Sequence, residues 1–563
     1  MDLAVDRLAS TVPFLRRLAG RLEQVRPVYA LAAFVLAEWL ATLALALTAR
    51  HNGWLYYQGG DQTWFYTTSW LLRHGQLPPT VVGYGWSTLL MPFTLVGGPN
   101  LLQVLPAVVL LNVLVLMPVA MVAMYGIGER IGGRLFGYWV VLLWIVVPFI
   151  GIKYTDAGFH QRYTEATLPQ GLGLTAMSDF PSMVMLVVAA YFLLRALQRP
   201  VRSDALLAGL FAGFAIGIKP SNSLILVGVG LAVVAGRHWR AGAAFAAGVA
   251  PGLLVLALWK WRGLGYLPLF HAEHGLRLAA GAIQAPLGTF DPHKYIHLDW
   301  SHFGKNLDSL QEHFWSARVI EWLVVAGVIA LARRSIVAAL LVGGWFFVFV
   351  VAKATGPNGN LEDASLLRML IPAIPAFVLL LAALPLLLPR SVCRLPRVAP
   401  PRPWGTPRIR LTLAVAASLL FVAVPAALAG AAHPLLGSFS PSSRSVFWLP
   451  ASPVPLDPGL HFSARRVRGG VRVAWKAQHL PGGHVVYQLL RLRLPTLGCP
   501  PPHAALSCYP PIVPLVSTSF FDNVDPPDFG RWEYRVLVTA SWTGKVTDAD
   551  PYVASPAIAL NVR

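Results

Sequence analysis

The chain has 563 residues, of which 56% are hydrophobic and only 12% charged, and its mean hydropathy is +0.58. Soluble globular proteins carry roughly twice that charged fraction, so a water-facing surface of ordinary size cannot be covered and a soluble enzyme is excluded for most of the chain. The net charge of +20 would suit a nucleic-acid partner, but in a membrane protein an excess of Lys and Arg reports topology.

A helical span needs about 20 apolar residues. The first candidate runs from Val28 to Thr48, behind a basic leader (residues 1–27) that carries Arg7, Arg16, Arg17, Arg21 and Arg26. Its full spanning length and late start predict an uncleaved anchor in place of a signal peptide, with the N-terminus in the cytoplasm. Further spans are predicted at 101–126, 136–153, 180–197, 204–219, 221–236, 241–260, 317–333, 335–353, 367–388 and 411–431, about eleven in all. The two short ones form a hairpin broken at Lys219-Pro220-Ser221-Asn222, where proline ends one helix and allows another to start.

Charge placement tests this count. Arg130 and Arg134, Arg195 to Arg202, Arg237 and Arg240, Arg333 and Arg334, and Arg390 to Arg410 all fall in loops on the side of the N-terminus, as the positive-inside rule requires. Residues 82–96 are apolar too, but a span there would invert every later loop, so they are expected to lie as a helix in the outer interface. Most acids fall on outer segments, among them Asp61, Asp156, Glu165 and Asp179, so chemistry is expected at the outer face, served by loops 49–100, 154–179 and 261–316.

After the spanning domain (28–436), a Ser/Pro-rich stretch (437–458) reads as a linker. Beyond it, short Val-, Tyr- and Trp-rich segments alternate with turn residues, which predicts a small antiparallel sandwich. The fold class is therefore an α-helical polytopic membrane protein with a C-terminal all-β sandwich. The order of these segments over 459–563 resembles a fibronectin type III-like domain, with Trp475 and Tyr534 as expected core aromatics and the module exported to the outer face. Cys499 and Cys508 lie close together within it, so a local disulfide is expected in an oxidising compartment; Cys393 sits in a cytoplasmic loop and is expected to be a free thiol.

The segment Tyr56-Tyr57-Gln58-Gly59-Gly60-Asp61-Gln62-Thr63-Trp64-Phe65-Tyr66, followed by His74-Gly75-Gln76-Leu77-Pro78, resembles the first outer loop of the GT-C superfamily of multispanning glycosyltransferases. The turn Gly128 to Gly137, Ser178-Asp179-Phe180-Pro181, the run Ala215 to Pro220 and Arg368-Met369-Leu370-Ile371-Pro372-Ala373-Ile374-Pro375-Ala376 follow in the family's order. The resemblance covers roughly 28–390 and is closest to the protein O-mannosyltransferase and lipid A aminoarabinose transferase branches. It implies transfer of a sugar from a polyprenyl-phosphate-linked donor to a protein, lipid or glycan acceptor on the outer face of a cell membrane, with membrane lipids as surroundings and no nucleic acid.

Such a donor already carries a good leaving group, so the enzyme must accept the acceptor's proton and stabilise the departing phosphate. The resemblance puts Asp61 in the place of the base; by composition alone it reads as an acidic helix cap. Asp156 and Glu165 share the second outer loop, where the resemblance implies a second acid; either can fill that place, with Asp156 assigned to catalysis beside Asp61 and Glu165 to substrate binding. Asp179, at a span entrance, orients the acceptor or caps its helix.

Lys153, Lys219, Lys260 and Lys353 each stand at the outer end of a different span. Snorkelling explains any one of them, whereas a ring completed by Arg368 would hold a lipid phosphate. Lys219 and Arg368 are taken as the phosphate contacts. Glu38, deep in the first span, needs a partner inside the bundle. His293 and His297 have a metal-compatible spacing, but no Asp-x-Asp pair stands near Asp61, so no cofactor is assigned and a divalent cation is left open. The rival functions are a transporter or flippase of lipid-linked sugars, which internal repeats and broken midplane helices would favour, and a catalytically degenerate scaffold.

Overall fold

Inside a bilayer every backbone N–H and C=O must find a partner within the chain, so spans are helices. The computed structural model describes residues 22, 24–48, 61–77, 82–97, 101–153, 168–198, 202–264, 270–271, 289–290, 298–314, 317–356, 359, 361, 365–388, 407–434, 456–478, 484–494, 511–515, 517–524, 529–541 and 549–562. Its helices are α1 (Pro27–Thr48), α2 (Asp61–Arg73), α3 (Val104–Gly132), α4 (Arg134–Lys153), α5 (Asp179–Gln198), α6 (Arg202–Ile218), α7 (Pro220–Gly236), α8 (Trp239–Leu264), α9 (Trp300–His313), α10 (Ala317–Arg334), α11 (Ile336–Ala354), α12 (Ser365–Leu387) and α13 (Arg408–Ala431).

Among the described residues eight helices are long and apolar enough to cross a membrane, or nine if α9 and α10, bent by 114°, form one span. The polytopic helical architecture is as expected; by length and composition the described helices supply eight or nine of the eleven spans. The shortfall is in the hairpin and the charged helix: α6 has 17 residues, α7 is shorter than a span, and α10 carries Arg318, Glu321, Arg333 and Arg334. The chain is a multi-pass membrane protein.

Packing follows polarity inverted from that of a soluble helix. On α1, Leu36, Leu40, Leu43 and Leu47 are exposed at a spacing that makes one stripe, while Glu38, Thr42 and Leu45 are buried on the other. Little of α1 or α13 is buried, whereas α5 is buried almost throughout, which puts α5 at the centre. Helices α6 and α8 meet through glycines spaced four apart. A Cβ on Gly248 would lie 2.9 Å from the Gly209 Cα, and one on Gly252 would lie 2.7 Å from the Gly213 carbonyl carbon. Small residues at this spacing let two backbones touch where no hydrophobic effect drives helices together.

Segment 82–97 departs from its expected place on the outer surface. Its first part folds as a short helix, Gly85–Leu90, and is buried. Tyr84 stacks on Trp259 at 5.5 Å and meets Phe214 edge-on at 6.5 Å. The entry is made by Gly83, where a Cβ would be 2.1 Å from the Gly217 carbonyl oxygen; exposure is confined to Pro92, Leu95 and Val96 in the second half. Aromatic content that suits an interface suits a protein interior equally, and the glycines decide for the interior.

Strand β1 (Gln76–Leu77) pairs in parallel with β2 (His433–Pro434), tying the chain after α2 to the end of α13. The C-terminal region is two antiparallel sheets. One has the order β3 (Ser463–Val467), β4 (Gly470–Ala474), β7 (Ser519–Asn523). The other runs β6 (Pro511–Leu515), β5 (His484–Leu494), β8 (Gly530–Ser541), with β9 (Ala549–Ala554) and β10 (Ile558–Val562) both on the far side of β8. Trp475 and Tyr534 are buried, as expected. Asp522 on β7 accepts from Tyr534 Oη at 2.7 Å and from Arg491 Nη1 at 2.9 Å on the facing sheet; burial and that carboxylate hold the phenol well above its ordinary pKa. Cys393, Cys499 and Cys508 lie outside the described residues.

Replacing Gly213 by Leu forces a side chain into the α6–α8 contact and should cost about 1–3 kcal/mol, the range for overpacking. Thermal unfolding of the full chain in detergent checks this; an unchanged midpoint would show that the glycine contact is dispensable.

Candidate functional site

Five helix ends converge on one polar cluster. Asp61 is the first residue of α2, where a carboxylate faces the unsatisfied N–H groups and positive dipole end. Its Oδ2 accepts from Arg368 Nη2 at 2.7 Å, and Arg368 stands in the first stretch of α12. Asp179 opens α5 in the same way and is paired with Lys219 Nζ. Lys219 lies at the break between α6 and the turn Pro220–Leu224 with φ −137° and ψ 105°, the extended conformation that a following proline imposes. The two pairs are electrostatically joined: Arg368 acts on Asp179 as Lys219 does, and Lys353, in the last turn of α11, acts on both Asp179 and Lys219.

The pairs differ in burial. Side-chain exposure is 3% for Asp179 and 16% for Lys219, against 41% for Asp61 and 30% for Arg368. A half-exposed pair is worth at most about 1 kcal/mol and exchanges partners at little cost. Removing one partner of a buried pair strands a charge.

Residues 168–178 lead into Asp179 and are buried throughout. The Ala176 N–H donates to Gln62 Oε1 at 2.8 Å, and its carbonyl accepts from Trp86 Nε1 at 2.7 Å. Asn112 Nδ2 donates to the Thr175 carbonyl at 2.9 Å. Gln62 follows Asp61 in α2, so the helix that carries one carboxylate also fixes the approach to the other. Behind it Gln170 Nε2 donates to Glu38 Oε1 at 3.0 Å, which supplies the partner that Glu38 required.

Of the residues expected at the site, the structure brings Asp61, Asp179, Lys219 and Arg368 together; Asp156 and Glu165 lie outside the described residues. Lys260 is no snorkel: it is 7% exposed and its Nζ donates to the Val82 carbonyl at 2.7 Å. The Lys153 side chain is outside the described set. Gln62, Trp86, Asn112 and Gln170 were not anticipated. Asn112 carries a signal, since an amide in an apolar span must bond within the bundle; Gln62 is overshadowed by Asp61 beside it, and Gln170 lies between predicted spans, where an amide calls for no partner.

Among the described residues no three of His, Cys, Asp and Glu gather as a metal group. Asp61 and Asp179 each meet a cation where a divalent ion would need further oxygens, so these residues do not fit one; His293 and His297 are outside the described set.

Fold and site together define a membrane-embedded bundle with two carboxylates and three cations at the ends of its helices. No protein-family model and no curated protein sequence matches the chain. Two similar solved structures are the Archaeoglobus fulgidus oligosaccharyltransferase in the apo form (11% identity, 73% of this chain and 57% of that one, TM-score 0.37) and the oligosaccharyltransferase AglB of the same organism in complex with an inhibitory peptide and a dolichol-phosphate (12% identity, 73% and 56%, TM-score 0.37). The chain spans just over half the length of these proteins, and at that TM-score the likeness decides nothing about the site.

Asp179→Ala should destabilise the chain by about 3–5 kcal/mol by stranding Lys219, and Asp61→Ala by no more than about 1 kcal/mol. Midpoints of thermal unfolding in one detergent would check the contrast; equal losses would refute the assignment of anchor and exchangeable pair.

Proposed function

We propose that the chain is a GT-C-type membrane glycosyltransferase that moves a sugar from a polyprenyl-phosphate-linked donor to an acceptor on the outer face of the membrane. The observation that carries the reading is the gathering of Asp61, Asp179, Lys219 and Arg368 from four distant parts of the sequence.

The acceptor oxygen bonds to the anomeric carbon, the bond from that carbon to the phosphate oxygen breaks with its electrons going to the lipid phosphate, and the acceptor's proton passes to Asp61. Arg368 donates to Asp61 Oδ2 at 2.7 Å. A donor phosphate that takes over the guanidinium leaves the carboxylate open to the acceptor, so donor binding and base release are one event. Lys219 adds charge for the departing phosphate while staying anchored to Asp179. Asp156 is assigned to catalysis beside Asp61, and Glu165 to substrate binding with Asp179, Lys219 and Arg368.

With α9 and α10 taken as one span, nine crossings keep the arginine-bearing loops on the side of the N-terminus, which supports a cytoplasmic N-terminus and an outer C-terminal region. The sheet orders β3-β4-β7 and β6-β5-β8 with β9 and β10 support a fibronectin type III-like sandwich, for which a Cys499 to Cys508 disulfide is proposed.

The test is transfer by purified protein from radiolabelled polyprenyl-phosphate sugars to candidate acceptors. Asp61→Ala should lose about 10²–10⁴-fold in turnover, and retained transfer would remove Asp61 as base. Transbilayer movement of the donor without covalent product would favour the flippase. Arg368→Gln should raise the donor KM more than it lowers kcat; the reverse pattern would take Arg368 out of donor binding.

A further inference from the structure

The C-terminal sandwich carries a charge asymmetry that the site does not use. From Gly459 to Phe521 the sequence contains no Asp or Glu, while Arg465, Arg466, Arg468, Arg472 and Lys476 lie on or beside the β3–β4 hairpin and are exposed. The acids that flank this stretch among the described residues are engaged: Asp457 caps the Gly459 N–H, Asp522 meets Arg491 and Tyr534, and Glu533 meets Arg535.

Arg465 and Arg472 are register partners on adjacent antiparallel strands. Their side chains therefore stand side by side on one face, an arrangement that destabilises a sheet when the charges are alike. Charges on an edge strand commonly guard against edge-to-edge pairing. That explanation does not cover Arg472, because β4 is paired on both sides, with β3 and with β7. By alternation and register Ser463, Ser519, Phe521 and Asn523 share this face.

A three-stranded sheet offers a broad face suited to distributed negative charge. The last span ends at Ala431 and the first paired residue of the sandwich is Leu456. That short tether keeps the headgroups of the chain's own bilayer at high effective concentration. We propose that the Arg465–Arg472 face of β3-β4-β7 docks on anionic phospholipid headgroups of the membrane that the chain spans, holding the sandwich down on it.

The test uses the full chain in nanodiscs of phosphatidylcholine alone or mixed with phosphatidylglycerol, with phenylglyoxal modification of individual arginines read by peptide mass spectrometry. Arg465 and Arg472 should react several-fold more slowly in the anionic discs. The difference should vanish at about 1 M salt, where the screening length falls to about 3 Å, while exposed Arg531 on β8 should react alike in both. In an Arg472→Glu chain the lipid-dependent difference at Arg465 should disappear. Equal rates for Arg465 and Arg472 in the two lipids would overturn the proposal. So would protection by soluble dextran sulfate without protection by anionic lipid, which would make the partner a soluble polyanion.

Discussion

A charge placed inside an apolar bundle has to bring its counter-charge with it, and the pairing of Asp179 with Lys219 is the constraint on which the site depends. It fixes where α5 begins and where α6 must break. Pro220 supplies the break by denying Lys219 the helical conformation. The same break lets Gly83 lie against the Gly217 carbonyl, which brings Trp86 within reach of Ala176. One ion pair thus sets the course of three separate segments.

The pair Asp61–Arg368 is built from the same residue types and has a different physical character. Its exposure lets solvent or a ligand compete for each partner, so the site contains one pair that holds shape and one that can open. Electrostatic stabilisation of a leaving group works best when the charges are fixed before reaction. Lys219 is tied to Asp179 and electrostatically coupled to Lys353; Arg368, at the start of α12, is the more exposed cation and acts on Asp179 as well as on Asp61.

Much of this was legible in the sequence because chemistry-bearing residues in an apolar chain are few. Asp61, Asp179, Lys219 and Arg368 stand out against their surroundings, and the helical segments follow from apolar run length. What was not legible has a common cause: composition gives the polarity of a segment but not what covers it. Residues 82–97 have the same content whether they lie on a surface or inside, and only the fit of Gly83 against α6 decides. Lys260 looks like a snorkelling lysine until the Val82 carbonyl is seen to need a donor. The hairpin α6–α7 fell short of spanning length by a few residues, which run length could have measured but boundary uncertainty blurred.

Proline in the spans shows why such side-chain donors recur. A proline removes the N–H that would reach the carbonyl four residues earlier, or five at a π turn, and in lipid that carbonyl has no water to turn to. Pro118 follows the π turn Asn112–Leu116, and Trp39 Nε1 from α1 donates to the Val113 carbonyl at 2.9 Å. Pro425 in α13 likewise stands just after a π turn, Leu419–Ala423, and within that turn the Tyr84 hydroxyl donates to the Phe421 carbonyl at 3.4 Å. Both repairs cross between elements, so each proline does more than bend a helix. It creates a demand that only a neighbour can meet, and so specifies which neighbour stands there: α1 against α3 in one case, and in the other the buried segment whose next aromatic, Trp86, holds the approach to Asp179.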